Sequence, residues 1–330
     1  MHKINTPPLM PLNIKPACSL SRFVGFYILI TNITVTEIFM LEFKKLGFED
    51  FENVKNYFDA FRQHSCDFTA GITFMWRDFY DMRIAYAGDD IVFMLTDDDC
   101  GAAFLPPAKK NFDIICKEIE NYCKSRSIKM QFYSVAKDML GDFRRLYSDC
   151  VYGAEEQWSD YIYEAEAIMK LEGKKYATQR NHINKFRRLY DDFTFNEITA
   201  GDVDECIDLM QNRMAEKDEV LASAEKEAVV DVLRNLDKYK MLTGVLRVNG
   251  EVAGFSCAEK IGDILTVHIE KADIRFDGAY PMLTHLFLEK YVDEDIKFVN
   301  REDDSGDEGL KKSKLSYHPC ELLEKYFVEI

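Results

Sequence analysis

The chain has 330 residues, of which 47% are apolar and 13% aromatic, so it can bury one large core or two modest ones and is globular. Its formal net charge of −16 argues against a surface built broadly for DNA or for anionic lipid, because both require many lysines and arginines against phosphates. Any such binding must use a local basic patch.

The nine cysteines contain no C-x-x-C pair, and several fall inside apolar runs. We therefore interpret them as reduced core residues of a cytoplasmic protein. Their spacing is not typical of metal ligands, so we expect no metal site.

Residues 1–39 differ from the rest of the chain. Prolines interrupt any regular element at four positions before residue 17, and the apolar run Phe23–Ile30 is shorter than the about twenty residues of a spanning helix. No A-x-A-like cleavage site follows it. We interpret the segment as a loosely attached extension, disordered or caused by a start upstream of Met40. A membrane anchor is the alternative.

Between residues 40 and 150 the apolar pattern alternates between helical and strand periods. Phe51, Val54, Phe58 and Phe61 show the three-and-four spacing of an amphipathic helix. The pattern predicts helices at 50–61, 71–79, 109–125 and 137–147 and strands at 82–87, 91–96 and 130–135. This order predicts helices packed against a small, largely antiparallel sheet.

The second half repeats that order. It predicts strands at 158–163, 193–198, 241–248, 252–259, 264–269 and up to Val299, and helices at 165–171, 174–190, 201–214, 222–236, 278–291 and after Gly306. Asn249 and Gly250 are typical of a type I′ turn between two of these strands. The simplest architecture is α+β, with two similar mixed units in tandem, at 40–150 and 151–330.

A basic helix is the first chemical feature of the second half. Leu171–Tyr190 contains six cations against one acid, Glu172. At about 100° per residue, Arg180 and Arg187 fall on the apolar face and are predicted to point toward the protein. An inward arginine pairs either with a buried carboxylate, for which the acids at 301–304 are candidates, or with an anionic ligand.

The strand at 264–269 and the turn after it carry the second feature. His268 and Glu270 share a strand face by the two-residue period, which makes each a candidate general base. The run from Arg275 through Gly278 to Tyr280 resembles the R/Q-x-x-G-x-G/A turn with which GNAT acyltransferases present backbone N–H groups to a pyrophosphate. The alternative is an ordinary strand-to-helix turn.

The third feature is the run VNREDDSGDEGLKKSKLSYHP at residues 299–319. Its first acids follow a buried strand directly, and functional groups in α/β folds tend to lie at such strand ends. Gly306 and Gly309 permit a turn into a helix that has acids near its N-terminus and lysines further on, as the helix dipole favours. The alternative is a solvated acidic turn before a surface helix.

Five stretches together resemble one family. They are WSDYIY at 158–163, LEGKKYATQRNHINKF at 171–186, HIEKAD at 268–273, GAY at 278–280 and the run at 299–319. They resemble the motifs of the phosphatidylglycerol lysyltransferase C-terminal domain and its soluble relatives. The resemblance covers roughly residues 40–330 and implies a tandem GNAT fold whose second unit holds the active site. Membrane-bound members transfer an aminoacyl group from aminoacyl-tRNA to a lipid hydroxyl, whereas this chain lacks their multi-helix membrane domain.

The resemblance implies a cytoplasmic transferase of aminoacyl groups that acts on an amine or hydroxyl acceptor, either a small molecule or a lipid. Aminoacyl-tRNA would be the donor and would contact the basic helix at 174–188. The implied catalytic residues are His268, Glu270 and Asp303, and the implied substrate-binding residues are Lys175, Arg180, Asn181, Arg301, Glu302, Lys314 and Tyr317. Glu270 or Asp303 would take the proton of the acceptor or bind the amino group of the aminoacyl moiety.

Two other functions stay open. The first is acyl-CoA-dependent N-acylation, in which Arg275, Gly278 and Tyr280 would bind the cofactor. The second is a catalytically degenerate protein that binds a small molecule or a partner in its acidic cleft.

Overall fold

The computed structural model describes residues 41–97, 101–213 and 220–330, so the predicted extension at residues 1–39 lies outside it. The helices are α1 (Phe51–Phe61), α2 (Ala70–Met75), α3 (Phe112–Arg126), α4 (Leu140–Leu146), α5 (Ala165–Lys170), α6 (Ala177–Leu189), α7 (Val203–Asp208), α8 (Val220–Arg234), α9 (Leu236–Tyr239), α10 (Ala279–Tyr291) and α11 (Glu308–Leu315). None of the helices in these ranges is both long and apolar enough to cross a membrane.

The strands are β1 (Lys44–Lys45), β2 (Arg83–Ala87), β3 (Asp90–Asp97), β4 (Gly101–Phe104), β5 (Gln131–Val135), β6 (Val151–Ala154), β7 (Asp160–Glu164), β8 (Phe193–Asn196), β9 (Leu242–Val248), β10 (Glu251–Ile261), β11 (Ile264–Ala272), β12 (Phe298–Asn300), β13 (Glu321–Leu323) and β14 (Tyr326–Glu329). They form two mixed sheets, ordered β1-β2-β3-β4-β5-β14-β6 and β13-β7-β12-β11-β10-β9-β8. Most neighbours are antiparallel, and β4 with β5 and β11 with β12 are parallel.

The sheets do not divide at residue 150. Strand β6, which lies beyond that point, belongs to the first sheet, and the last strand of the chain, β14, inserts between β5 and β6. Val328 of β14 is fully buried in the core of the first sheet, and this burial of apolar surface stabilises β14 in its position there. The preceding strand, β13, lies at the edge of the second sheet.

One apolar cluster joins the two halves of the chain. It contains Phe58 of α1, Phe74 of α2, Val232 of α8 and Phe255 of β10, all fully buried. Two further clusters each pack against one sheet, the first around α3 and β5 and the second around α6 and α10. Helices α1 and α2 therefore share a core with the second sheet.

The elements with long periodic patterns were predicted correctly, and their ends differ by a few residues. Asn249 and Gly250 have φ of 51° and 83°, as the predicted type I′ turn between β9 and β10 requires. The predicted helix at 71–79 ends at Met75, and the first turn of the predicted basic helix, Lys174–Tyr176, is a 3-10 turn.

Substitutions in β14 should test its role in the first sheet. Val328→Ala removes fully buried methyl groups and should lower the free energy of unfolding by about 2 kcal/mol. The neighbouring Phe327→Ala, at a side chain that is 40% exposed, should cost much less. Urea unfolding measures both, and an equal effect of the two substitutions would contradict the central placement of β14.

Candidate active site

The candidate site lies where two parallel strands separate. Strands β11 and β12 pair from Ile264 opposite Phe298 to Thr266 opposite Asn300. Beyond that point β12 ends, while β11 continues to Ala272. Two pairs of side chains connect β11 with the residues that follow β12. All four residues were predicted from the sequence to lie in the site.

The first pair is Arg301 with Glu270. Nη2 of Arg301 lies 2.8 Å from Oε1 of Glu270, and the two side chains are only 10% and 12% exposed. The same oxygen accepts a hydrogen bond from Oγ1 of Thr284 at 2.8 Å. The guanidinium also lies 4.8 Å from the ring centre of Tyr317. Burial opposes its charge, but Glu270 outweighs burial and raises the pKa of Arg301 above its usual value.

Arg301 still has an unused donor. Its Nη1 is buried and has no hydrogen-bond partner among the described residues. A buried N–H without a partner destabilises the folded protein by about 1–3 kcal/mol, so it indicates a place for a ligand atom or a water molecule.

The second pair is His268 with Glu302. Nδ1 of His268 lies 2.7 Å from Oε1 of Glu302, and its Nε2 lies 2.9 Å from Oε2 of Glu259. Glu259 also accepts a hydrogen bond from the backbone N–H of Gly71 at 2.5 Å. Burial lowers the pKa of His268, but the hydrogen bonds to Glu259 and Glu302 outweigh burial and raise it to about 9. His268 is therefore an imidazolium at neutral pH and orients Glu302.

Glu302 has a strained backbone. Its φ of 58° lies in the left-handed region, which is costly for a residue with a Cβ and is concentrated at functional sites. Its N–H donates to Oδ1 of Asn300 at 2.6 Å, which holds this conformation. Burial raises the pKa of Glu302 more than His268 lowers it. At 21% exposure the side chain is the more accessible of the two carboxylates on His268, which favours Glu302 as a proton acceptor.

A third group of charges lies beside this site. Nζ of Lys325 contacts Asp160 at 2.9 Å, Asp303 at 3.0 Å and Asp67 at 3.2 Å. Burial opposes the charge of Lys325, but the three carboxylates raise its pKa well above the usual value. Burial likewise favours the neutral form of Asp160, yet Lys325 holds the pKa of Asp160 below its usual value. Asp303 is thus part of an ion cluster, in which its carboxylate is already paired with Lys325.

Cys66, Asp160 and Asp303 bring their ligand atoms within 4.8 Å of one another, close enough to hold a metal ion. The ammonium of Lys325, however, lies against Asp160 and Asp303 and takes the place of a cation there. This donor set therefore does not fit a metal while Lys325 is present.

Lys314 and Tyr317, which were predicted to bind substrate, lie beside Asp303 and Arg301. Lys314 is buried, donates to the backbone carbonyl of Asp303 and lies 5.7 Å from the ring centre of Tyr161. Burial lowers the pKa of Lys314 despite the carboxylates nearby. The hydroxyl of Tyr163 donates to the carbonyl of Lys314 at 2.9 Å, which ties α11 to β7.

The basic helix α6 does not follow the prediction. Arg180 donates to the carbonyls of Leu171 and Gly173, with 2.6 Å to the second, and Arg187 is exposed. Arg180 thus pairs with backbone carbonyls and not with the predicted acids at 302–304, because Leu171 adopts φ of 51° at the end of α5 and leaves carbonyls that need a donor. The predicted substrate-binding residues Lys175 and Asn181 are exposed, so neither lies in the buried cluster around Arg301.

Arg275 is already engaged in the predicted pyrophosphate turn. Its Nε donates to Oδ2 of Asp273 at 2.8 Å, and its Nη2 to Oε1 of Glu251 at 2.7 Å. These two carboxylates offset the positive charge that a phosphate would bind.

The N-terminus of α10, which follows this turn, is covered by α6. Gly278 has φ of 85°, and a Cβ there would lie 2.7 Å from the carbonyl of His182 on α6. The N–H of Ala279 bonds to the carbonyl of Phe276, and Pro281 has no N–H. Tyr280 is half-buried at the same turn. This geometry favours the ordinary strand-to-helix turn.

Glu259, Asp160 and Lys325 were missed by the sequence analysis. Glu259 and Asp160 lie within predicted buried strands, and Lys325 lies between the short strands β13 and β14. A charged residue inside an apolar strand pattern is the signal that could have identified the first two, since such residues are buried only when paired.

Comparisons with known proteins agree with this architecture. The family described as phosphatidylglycerol lysyltransferase, C-terminal, matches residues 58–329. A conserved protein of unknown function from Bacteroides thetaiotaomicron VPI-5482 is 28% identical, with a TM-score of 0.83 over 88% of this chain and 100% of that chain. The structure of L-PGS from Bacillus licheniformis is 15% identical, with a TM-score of 0.64 over 84% of this chain and 91% of that chain.

A curated relative is less close. The uncharacterized protein MYCGA3080 of Mycoplasmoides gallisepticum is 23% identical over 210 residues, which are 58% of this chain and 68% of the relative. The two mixed sheets flanked by helices, together with the fold shared with L-PGS, confirm the predicted α+β fold with two GNAT-like units.

The pKa of His268 should make stability depend on pH. A histidine whose pKa rises from 6.5 to about 9 on folding stabilises the folded state below pH 6.5, and this contribution is lost as pH rises through 9. The loss should be about 3 kcal/mol, because one pKa unit corresponds to about 1.4 kcal/mol. Urea unfolding between pH 6 and 9.5 measures it. The dependence of the free energy of unfolding on pH should become weaker in His268→Gln. It should stay unchanged in His318→Gln, which alters an exposed histidine and serves as the control.

Lys325→Met should destabilise the protein by about 3–5 kcal/mol, because it leaves buried carboxylates without a cation. In a protein that already carries Lys325→Met, Asp160→Asn should lower the free energy of unfolding by less than it does in the unmodified protein. A double-mutant cycle on unfolding should give a coupling above about 1 kcal/mol. The exposed pair Lys311 and Glu156, 2.8 Å apart, is the control and should show no measurable coupling. Equal coupling in the two cycles would argue against a buried cluster.

Proposed function

Since the chain belongs to the phosphatidylglycerol lysyltransferase C-terminal family, we propose that it is a cytoplasmic transferase that moves an aminoacyl group from aminoacyl-tRNA to an amine or hydroxyl acceptor. The observation that carries the proposal is the unpaired Nη1 of Arg301 next to the strained Glu302, at the separation of β11 and β12. A donor for an oxygen and an acceptor for a proton are the two groups that acyl transfer requires.

The reaction would proceed without a covalent intermediate. The amine or hydroxyl of the acceptor attacks the ester carbonyl of the aminoacyl group, and its proton passes to Glu302. Nη1 of Arg301 donates to the carbonyl oxygen as negative charge develops there. The new bond to the carbonyl carbon forms, the ester bond breaks, and Glu302 returns the proton to the ribose oxygen of the tRNA, which leaves as a hydroxyl. Positioning supplies most of the rate acceleration in this scheme.

The surface of α6 supports tRNA as the carrier of the donor. Lys174, Lys175, Arg187 and Arg188 are exposed along this helix and the turn before it, in a chain whose net charge is −16. Local cations on an acidic protein confine phosphate contacts to one face. Lys185 is the exception in this row, since it pairs with Asp277.

Acyl-CoA as donor has less support. The turn before α10, which would hold its pyrophosphate, has Arg275 bound to two carboxylates and offers few unbonded N–H groups. A purely binding role would not require the strain at Glu302.

A transfer assay tests the proposal. The purified full chain is incubated with tRNA charged with each radiolabelled amino acid and with pooled small amines or a phospholipid extract as acceptor. Acid-stable label in the acceptor fraction is the expected result. Transfer from radiolabelled acetyl-CoA, with none from any charged tRNA, would overturn the proposed donor.

Glu302→Gln should reduce transfer about 100-fold or more, because general base catalysis contributes that much. In the unmodified protein the rate should fall as pH drops through the raised pKa of Glu302, since the base must be ionised. The exposed Glu321→Gln is the matched control and should transfer normally. If Glu302→Gln stays active while Glu270→Gln is inactive, Glu302 is not the base.

A further inference from the structure

Glu259 of β10 is a buried acid that takes no part in the proposed transfer. Its side chain is 7% exposed, and its Oε2 lies 2.9 Å from Nε2 of His268. The other ring nitrogen, Nδ1, lies 2.7 Å from Oε1 of Glu302. The side chain of His268 is completely buried between the two carboxylates. Glu302, His268 and Glu259 therefore form one continuous row of hydrogen bonds.

The positions of the protons in this row follow from its geometry. An ionised carboxylate can only accept, so each ring nitrogen that faces one must carry a proton. His268 is then an imidazolium whose single positive charge lies between two negative charges. An imidazolium by itself would make Glu302 a weak base, because a positive neighbour favours the ionised carboxylate. The negative charge of Glu259 on the far side of the ring opposes that effect.

Gly71 of α2 holds Glu259 in this position. Its N–H lies in the first turn of the helix, where N–H groups have no partner within the helix, and donates to the same Oε2 at 2.5 Å. A Cβ at residue 71 would clash with this oxygen and would lie 3.0 Å from Nε2 of His268. The absence of a side chain at Gly71 therefore allows the backbone of α2 to fix the carboxylate against the ring.

We propose that Glu259 is a positioning residue that keeps Glu302 basic: it holds the second proton on His268, and its negative charge raises the proton affinity of Glu302 through the ring. The inference rests on the proposed transfer, in which Glu302 takes the proton of the acceptor. The other titratable groups that act on Glu302 are Asp303 after β12, Lys314 of α11 and the buried thiol of Cys66.

The alternative is that Glu259 only provides hydrogen bonds to Gly71 and His268 and has no influence on Glu302. Glu259→Gln separates the two explanations. The N–H of Gly71 requires an acceptor, so the amide oxygen must take the position of Oε2, where it also accepts from Nε2 of His268. Both hydrogen bonds remain in this variant, and only the negative charge is lost.

An NMR titration of the full chain, isotopically labelled in its histidine rings and glutamate carboxyl groups, measures both pKa values directly. The signal of Glu302 is identified by its absence from Glu302→Gln. In Glu259→Gln the pKa of His268 should fall from about 9 by about 1–3 units, because the ring loses a carboxylate neighbour. The pKa of Glu302 should fall by about one unit, because a more distant negative charge is removed. An unchanged pKa of Glu302 would overturn the inference.

Glu118→Gln is the matched control. Glu118 of α3 is also 7% exposed, and its pKa is raised by burial alone, with no contribution from His268 or Glu302. The same substitution there should leave the pKa values of His268 and Glu302 unchanged. Equal shifts in Glu118→Gln and Glu259→Gln would reveal a general effect of the lost charge and would also overturn the inference.

The transfer assay keeps this inference distinguishable from the proposed function. In Glu259→Gln the pH below which the transfer rate falls should move down by about one unit, because a weaker base stays ionised to lower pH. Transfer by the wild-type protein, with no such movement in Glu259→Gln, would overturn the role of Glu259 and leave the proposed function standing. Absence of transfer from every charged tRNA, together with the expected pKa shifts, would overturn the function and retain the coupling of Glu259 to Glu302.

Discussion

The buried ammonium of Lys325 holds the two sheets and the candidate site in one arrangement. It lies between Asp67 after α1, Asp160 on β7 and Asp303 after β12, within 3.2 Å of each carboxylate. Burying any one of these ions alone would destabilise the folded protein. The attraction between the ammonium and the carboxylates offsets that cost only when all of them are present. Movement of one sheet relative to the other would leave at least one of these charges unpaired. The loop that carries Arg301 and Glu302 is therefore held by an interaction that originates at the C-terminal end of the chain.

This constraint explains how the loop can keep a strained conformation. Glu302 has a left-handed backbone, and Asn300, which accepts its N–H, also donates to Asp160 at 2.9 Å. The cluster around Lys325 thus continues through Asn300 to the strained residue. His268, on the neighbouring strand β11, orients the carboxylate of Glu302. A preorganised base and a preorganised hydrogen-bond donor are what catalysis by positioning requires, because no reorganisation is then needed when charge develops.

The sequence predicted those parts of the structure that depend on local pattern. The end of an apolar run placed Arg301 correctly at the end of β12. The two-residue period, however, was wrong in placing His268 and Glu270 on one face of β11, because a β-bulge at His268 interrupts the alternation: His268 contacts Glu259, whereas Glu270 contacts Thr284 of α10. The predicted pairing of Arg180 with an acid was wrong, because its partners are carbonyls whose availability depends on the conformation of Leu171. Periodicity reports the face of a helix and carries no information about such turns.

The short strands were beyond prediction for a related reason. Strands β6, β13 and β14 have three or four residues, too few for an alternating pattern to be recognised, and their positions depend on partners far away in the sequence. Lys325 lies between two of them. The ion cluster therefore could not be assembled from sequence, although Asp160 and Asp303 lie in stretches that the sequence analysis had singled out.

The position of β14 also has a consequence for how the protein reaches its native state. The first sheet takes its sixth strand from residues 326–329, which are synthesised after all its other strands. Translation proceeds from the N-terminus, so β5 and β6 are synthesised about 190 and about 170 residues before the strand that separates them, at about 5–20 residues per second. During that interval the facing edges of β5 and β6 lack their native partner. The first sheet therefore cannot be complete until residues 326–329 have been synthesised, and its final step is the closure of a long loop, which is entropically slow.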